Sequence, residues 1–213
     1  MPQLTREIVL NAMSPTPWDF SNRILYDLCA KHPNHTDLGE VLAKILLIGR
    51  VYAAAIERRK TKADSDQNDH FYINNVAPAI QDSRMDEWLH RARASVPGTQ
   101  AGFATLVETH EAVTRLCRKI SGLEKRSLAS KYLHFHVPQL FYIYDSRAVE
   151  AMRDFSKLLP RASRTAGNGD NEYRKFAEKC AGLAKLCASE YGLQLSPRQI
   201  DNLLLATQEA GAG

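Results

Sequence analysis

Apolar positions recur along this chain at helical spacing and almost nowhere alternate. Ile24, Leu25 and Leu28 make one stripe in "PWDFSNRILYDLCAKH", a segment opened by Pro17 and closed before Pro33. Asp37 is placed to cap a longer helix, predicted to reach about Lys60, with Leu38, Val41, Leu42, Ile45, Leu46, Ile48 and Ile56 on its apolar side. Gly49 inside that helix predicts close approach by another one. After the polar run "ADSDQND", shorter helices are predicted at 70–80 and 83–95, with Trp88 and Leu89 inward. A loop at "SVPGTQ" precedes a long helix at about 101–120 carrying Phe103, Leu106, Val107, Val113 and Leu116. Further helices are predicted from Arg147 to Leu158, at about 171–191 and at about 197–208, with "PRASRTAGNGDN" as a connector. No segment reads as a strand and none repeats. The pattern predicts an all-α protein of more than eight helices, folded as a single domain over residues 1–213.

The stretch "SLASKYLHFHVPQLFYIYDS", residues 127–146, breaks this regularity. "GLEKRS" reads as a tight turn into a helix. That helix must stop near His136, because Val137 precedes Pro138 and is pushed out of the helical region. "VPQLFYIY" then runs extended, and Asp145 stands immediately before the amphipathic "SRAVEAMRDF". Aspartate is a favoured N-cap, and its charge is stabilised at a helix N-terminus. Two readings of Asp145 stay open: an ordinary cap beneath an aromatic core, or an ionised acid held in place for chemistry. The rings around it are open in the same way, between core packing and the lining of a pocket.

Composition adds little until charge is mapped. Hydrophobic residues are 44% of the chain, enough for a core, and the net charge is only +4. The basic residues cluster, however. Arg115, Arg118, Lys119, Lys125, Arg126 and Lys131 face only Glu124 within residues 115–131. Lys44, Arg50, Arg58, Arg59, Lys60 and Lys62 face only Glu57 within 44–62. The remainder is therefore net acidic. Such concentration suits a phosphate-contacting protein, although a solvated helix face would look the same. Cys29, Cys117, Cys180 and Cys187 form no CxxC pair and read as packed, reduced thiols. His134 and His136 lack a third ligand, so no metal is expected, and no cofactor. The apolar run "VLAKILLIGRVYAAAI" is interrupted by Lys44 and Arg50 and falls short of the roughly 20 residues that span a bilayer. With no signal peptide visible at "MPQLTREIVLNAM", a soluble, cytoplasmic monomer is expected.

Helix, tight turn, helix, short extended run, then an aspartate opening a helix: this order resembles the centre of the helix-hairpin-helix superfamily of DNA glycosylases. The resemblance is nearest to the 8-oxoguanine glycosylase branch and covers about residues 115–155. It implies a two-lobed helical fold with its site in the cleft between lobes. Asp145 then corresponds to the catalytic acid. Aligning Ala129-Ser130 and Asp145 puts Ser127, eighteen residues before Asp145, where bifunctional members carry a lysine. The resemblance therefore implies a monofunctional enzyme, unless Lys125 or Lys131 replaces that lysine. It implies a base pocket among Tyr132, His134, Phe135, His136, Tyr142 and Tyr144, with Phe71, Asn74 and Asn75 from "HFYINN". It implies contacts to double-stranded DNA from Arg118, Lys119, Lys125, Arg126, Ser130, Lys131 and Arg147, and from Arg50, Arg58 and Arg59. The hairpin keeps Gly122 but lacks the family's second glycine. "IGRVYAAAIERR" together with "LHFHVPQLFYIYDS" resembles small bacterial members tied to anti-phage defence, which implies a modified cytosine of phage DNA, such as glucosylated hydroxymethylcytosine, as target. Oxidised guanine remains the alternative base. A non-catalytic DNA-binding module and a helical protein-interaction domain remain alternative functions.

Overall fold

The structure, a computed structural model, describes residues 4–57, 68–159 and 170–209. Among the described residues the protein is all-α, with no strand. The helices are α1 (Arg6–Met13), α2 (Asp19–Lys31), α3 (Leu38–Val51), α4 (Asn68–Phe71), α5 (Ala77–Gln81), α6 (Met85–Ala94), α7 (Gln100–Ser121), α8 (Arg126–His136), α9 (Ser146–Phe155), α10 (Asn171–Tyr191) and α11 (Pro197–Glu209). A π-helical turn, Tyr72–Val76, joins α4 to α5. Pro78 accounts for it. Proline has no N–H to give the carbonyl four residues back, and the turn widens to the Ala77 N–H to Tyr72 O bond.

Side-chain caps fix where several helices begin. Asp37 accepts from Glu40 N at 2.9 Å, Thr99 from Gly102 N at 3.0 Å and Asp145 from Ala148 N at 2.9 Å. The helices then pack in two sets. α3 lies against α2, α5 and α8, and α7 against α6 and α8. α1 instead packs on α11, which packs on α9 and α10. The first helix thus joins the last three, and the extended run after α8 leads from one set into the other.

The sequence pattern misplaces two features. α3 stops at Val51 rather than near Lys60. Helix propensity does not oppose its continuation through "VYAAAI", so the cause is tertiary. Ala53 takes a left-handed φ of 52°, Ala54 N–H bonds Gly49 O at 2.7 Å, and Ala55 and Ile56 turn into the core. Two lysines of the later segment take up carbonyls of this turn: Lys131 Nζ donates to Tyr52 O at 3.2 Å and Lys125 Nζ to Ala55 O at 3.3 Å. Gly49 does permit a close approach. A Cβ there would lie 3.4 Å from Ala55 Cα and 3.6 Å from Leu128 Cδ1 of α8. In α2 the buried face is Asn22, Leu25 and Cys29, while Ile24 faces solvent beside the exposed Trp18 and Phe20. Trp88 is half-buried and Leu89 fully buried.

Because a β-carbon is strained at positive φ, Ala53→Gly is expected to stabilise the fold by about 1 kcal/mol. A rise in the urea midpoint would show it, and a fall would mean that the Ala53 methyl contributes packing worth more than the strain.

Candidate active site at the junction of α8 and α9

Gly122, at φ 72°, caps the end of α7 and turns the chain into α8. α8 is buried from Leu128 to His136, so its polar side chains must find partners inside the protein. Ser130 does so by clamping the extended run: its Oγ accepts from Tyr144 N at 2.9 Å and donates to Ser127 O at 3.0 Å. Phe141 and Ile143 point into the core, while Tyr142 and Tyr144 point the other way. The clamp therefore delivers the next residue, Asp145, at a fixed height on α8.

Asp145 uses one carboxylate oxygen as the N-cap of α9. The other, Oδ2, lies 3.3 Å from Lys131 Nζ. Lys131 is 4% exposed, and its ammonium also meets Ser127 Oγ at 3.1 Å and Tyr52 O at 3.2 Å. Ser127 and Lys131 are four residues apart on α8 and so share a face. Ser127, where the glycosylase resemblance places a lysine, holds the ammonium of a lysine one turn later.

A second layer comes from distant parts of the chain. The Tyr52 hydroxyl donates to Asn22 Oδ1 of α2, and Lys131 Nζ stands 5.8 Å from the centre of the Tyr52 ring. Asp201 of α11 accepts from Arg198 Nη1 at 2.7 Å and is 4% exposed. Burial pushes the Asp201 carboxyl up to about 6, and the charge of Asp145 adds to the rise, while Arg198, Lys131 and Arg147 oppose it. Local pattern missed Asn22, Tyr52, Arg198 and Asp201. One signal was present for Asp201: an acid one helical turn before Leu204 and beside Ile200, on the buried stripe of α11.

Several rings expected in a base pocket are core residues instead. Tyr132, His134 and Phe135 are essentially inaccessible, and His136 nearly so. Their polar atoms are engaged inward, except His136 Nε2, which is buried without a hydrogen-bond partner. His134 Nδ1–H donates to Phe141 O at 2.8 Å, so its Nε2 accepts from the Tyr26 hydroxyl at 2.7 Å. Tyr132 Oη–H donates to His35 Nε2 at 2.7 Å, and His35 Nδ1–H to Asp86 at 2.5 Å. His136 Nδ1–H donates to Tyr132 O at 2.8 Å. These residues build the floor of the junction and present no face for stacking on a base. Phe71 is buried. Asn74 and Asn75 are exposed on the π-helical turn, whose Tyr72 is joined to Glu57 and Arg50 rather than to Asp145.

The basic residues divide. Arg126 is committed internally: it meets Asp170 at 2.6 Å, Glu124 at 2.6 Å and Glu172 at 3.0 Å, which joins the hairpin to the start of α10. Arg118 pairs with Glu124, and Arg50 with Glu57. Lys44 is fully buried and donates to His32 O and Asn34 O. Ser130 is spent on the clamp. Lys119 and Arg147 are exposed and make no ion pair among the described residues. Arg58 and Arg59 lie outside the described residues. Arg126→Ala is expected to destabilise the fold by about 2–4 kcal/mol, because it leaves the nearly buried Asp170 carboxylate unpaired. Denaturant unfolding checks this, and a loss under ~0.5 kcal/mol would mean that the three acids relax into solvent.

Two cavities flank the extended run. One of about 310 Å³ lies between the Ala53–Ala55 turn and the hairpin, lined by Glu124, Lys125, Arg126, Ser127, Leu128 and Tyr144. It opens beside Ser127, which touches the Lys131 ammonium. The other, about 560 Å³ and mostly apolar, lies between the start of α7, Tyr142 and α10. Of the expected base-pocket rings, Tyr144 alone borders the cavity at the junction. All four cysteines are buried and free, as their spacing predicted. No helix among the described residues is long and apolar enough to cross a membrane.

The helical architecture over α1–α8 falls within a known family. The chain matches the HI_0787_N family model, described as an N-terminal domain, over residues 7–140, and it belongs to that family. No curated protein and no solved structure matches it. The matched stretch includes Lys131 and Ser127 and ends five residues before Asp145.

Proposed function

We propose that the protein is a DNA N-glycosylase with Asp145 as its catalytic acid. The observation that carries this reading is the placement of Asp145: ionisable, capping α9, paired with Lys131 and set where the two sets of helices meet. The two sets would be the two lobes, and the cavity beside Ser127 the mouth of the cleft. Breaking an N-glycosidic bond builds positive charge on the deoxyribose. A fixed carboxylate stabilises that charge and orients the attacking water. The base must first leave the stack and enter a pocket. The 310 Å³ cavity is at the lower end of the usual range for small-molecule sites, and Tyr144 offers a ring at its edge. Ser127 and Glu124 put polar groups on its wall, in keeping with a glucosylated hydroxymethylcytosine or, as the alternative, oxidised guanine as the excised base. Lys119 and Arg147 are the cations best placed for phosphate. Removal of phage-specific bases would suit a role in anti-phage defence.

A second reading concerns the chemistry after base release. Lys131 Nζ lies 3.3 Å from the Asp145 carboxylate, which would take its proton; the free amine would then add to C1′ of the abasic sugar, lose water to form a Schiff base, and β-elimination would expel the 3′ phosphate and cut the strand. The test is base release from phage DNA carrying glucosylated hydroxymethylcytosine and from duplexes carrying oxoguanine, uracil or alkylated bases. Alkali-dependent cleavage by the wild type supports a monofunctional glycosylase and names the base. Cleavage without alkali, lost in Lys131→Met, moves Lys131 to the nucleophile. DNA binding with no release from any substrate would leave a non-catalytic binding module.

A further inference from the structure

The larger of the two cavities plays no part in the mechanism above. It holds about 560 Å³, inside the range of small-molecule sites, and lies between the start of α7, the extended run and α10. Phe103 and Leu106 of α7, Leu140 and Tyr142 of the extended run, and Leu159 give it an apolar wall. Gly182 of α10 faces Leu159 and leaves the space unfilled: a Cβ there would lie 3.6 Å from Leu159 Cδ2, an ordinary contact. An apolar wall left without partners forfeits packing, and a glycine inside a helix costs stability against alanine. The rim is built and carries positive charge. Gly98, at φ 80°, turns the chain toward α7, and Thr99 Oγ1 donates to Val96 O at 2.8 Å while accepting from Gly102 N at 3.0 Å. The positive end of the 22-residue helix α7 therefore lies at the rim. Lys179 and Lys185 of α10 line the cavity against Glu178 alone, and neither lysine makes an ion pair among the described residues. The Tyr142 hydroxyl has no hydrogen bond among the described residues, whereas its carbonyl accepts from Tyr173 at 2.9 Å. Burial raises the Tyr142 phenol, so that hydroxyl stays a donor.

We propose that this cavity is a binding site for a small apolar carboxylic acid, whose chain or ring body packs on Phe103, Leu106 and Leu140 and whose carboxylate is held at the lysines of α10. The chemistry of the walls selects this class. A sugar or nucleotide would leave most of its polar groups unpaired against an apolar wall. An amine would meet two ammonium groups and a helix N-terminus. A neutral hydrocarbon would use the wall and ignore the charge. The site is separate from the Asp145 junction, and the inference does not rest on the glycosylase reading.

Isothermal titration calorimetry of the full chain with octanoate and with 2-naphthoate tests it, one probe for a chain and one for a ring. At least one should bind with a sub-millimolar Kd, and 1-octanol and octyltrimethylammonium should bind at least about fivefold more weakly than octanoate. The double variant Lys179→Met, Lys185→Met should cost the acids about fivefold and leave 1-octanol unchanged. Gly182→Leu should abolish binding and raise the melting temperature, because the new side chain fills the cavity and favours the helix. No binding of either acid at millimolar concentration overturns the proposal. So does octanol binding as tightly as octanoate, or octanoate binding unchanged by loss of both lysines. Undiminished binding to a folded Gly182→Leu protein would put the ligand elsewhere and overturn it too. The lysine variant alters only half-buried or exposed side chains, so it decides the matter even if Gly182→Leu fails to fold.

Discussion

Acidification from pH 7 to pH 5 will strongly destabilise this protein, above the range where most of its carboxylates are protonated. The cause is four histidines buried neutral. Burial pushes His35, His110 and His134 down to about 4, and His136 well below the usual imidazole value. The hydrogen bonds agree with neutrality: in His35 and His134 the second ring nitrogen accepts from a tyrosine hydroxyl and cannot also carry a proton. The unfolded chain takes up protons at these residues near pH 6.5, and the native state refuses them until about pH 4. Stability is therefore complete above 6.5 and falls through the interval below it. Asp201 works in the opposite sense, since its raised value favours the native state as pH drops through 6. It is one group against four, so unfolding near pH 5 should take up about three protons. That corresponds to a slope of about 4 kcal/mol per pH unit. Over one to two units this rivals the whole stability of about 5–15 kcal/mol expected for a domain. Urea unfolding between pH 5 and 7.5 measures the slope directly, and a flat profile would mean that the four imidazoles titrate normally.

That acid sensitivity and the misplaced base pocket share one origin in the sequence. His134, Phe135 and His136 look functional because histidines are uncommon on an apolar stripe. The structure pairs both imidazoles with backbone carbonyls close in sequence, Phe141 O and Tyr132 O, and brings Tyr26 and His35 onto α8 from far along the chain. Pattern identifies which helices exist because each needs one buried face. It also identifies Asp145 as a cap, because capping is local. It cannot see that Val51 ends α3, since the stop depends on Lys125 and Lys131 from more than seventy residues away. The same holds for Arg126: a basic residue in a hairpin reads as a phosphate contact until Asp170 and Glu172 fold against it. Lys131 was legible as a candidate, and its position one turn after Ser127 was plain. Its aim at Asp145 was not, because that depends on the Ser130 clamp setting the register of the extended run.

Asp145→Asn is the second decisive change, and its two consequences should separate. Base release is expected to fall by at least ~10³-fold, since the substitution removes the charge that answers the developing cation. The fold should persist at a cost. Asparagine is as good an N-cap as aspartate, and its side-chain oxygen can still accept from Ala148 N. The buried Lys131 ammonium loses its anionic partner and keeps only Tyr52 O and Ser127 Oγ as acceptors, so a loss of about 2–4 kcal/mol is expected, read as a fall in the urea midpoint. On the glycosylase proposal, affinity for DNA should stay the same or improve, because a negative charge would have left the surface that meets phosphates. An Asp145→Ala variant would confuse the two effects by removing the cap as well. Full activity in a well-folded Asp145→Asn protein would reduce Asp145 to a cap and return the junction to structure alone. Lost activity with intact DNA binding would make the Lys131–Asp145 pair the chemical centre of the molecule.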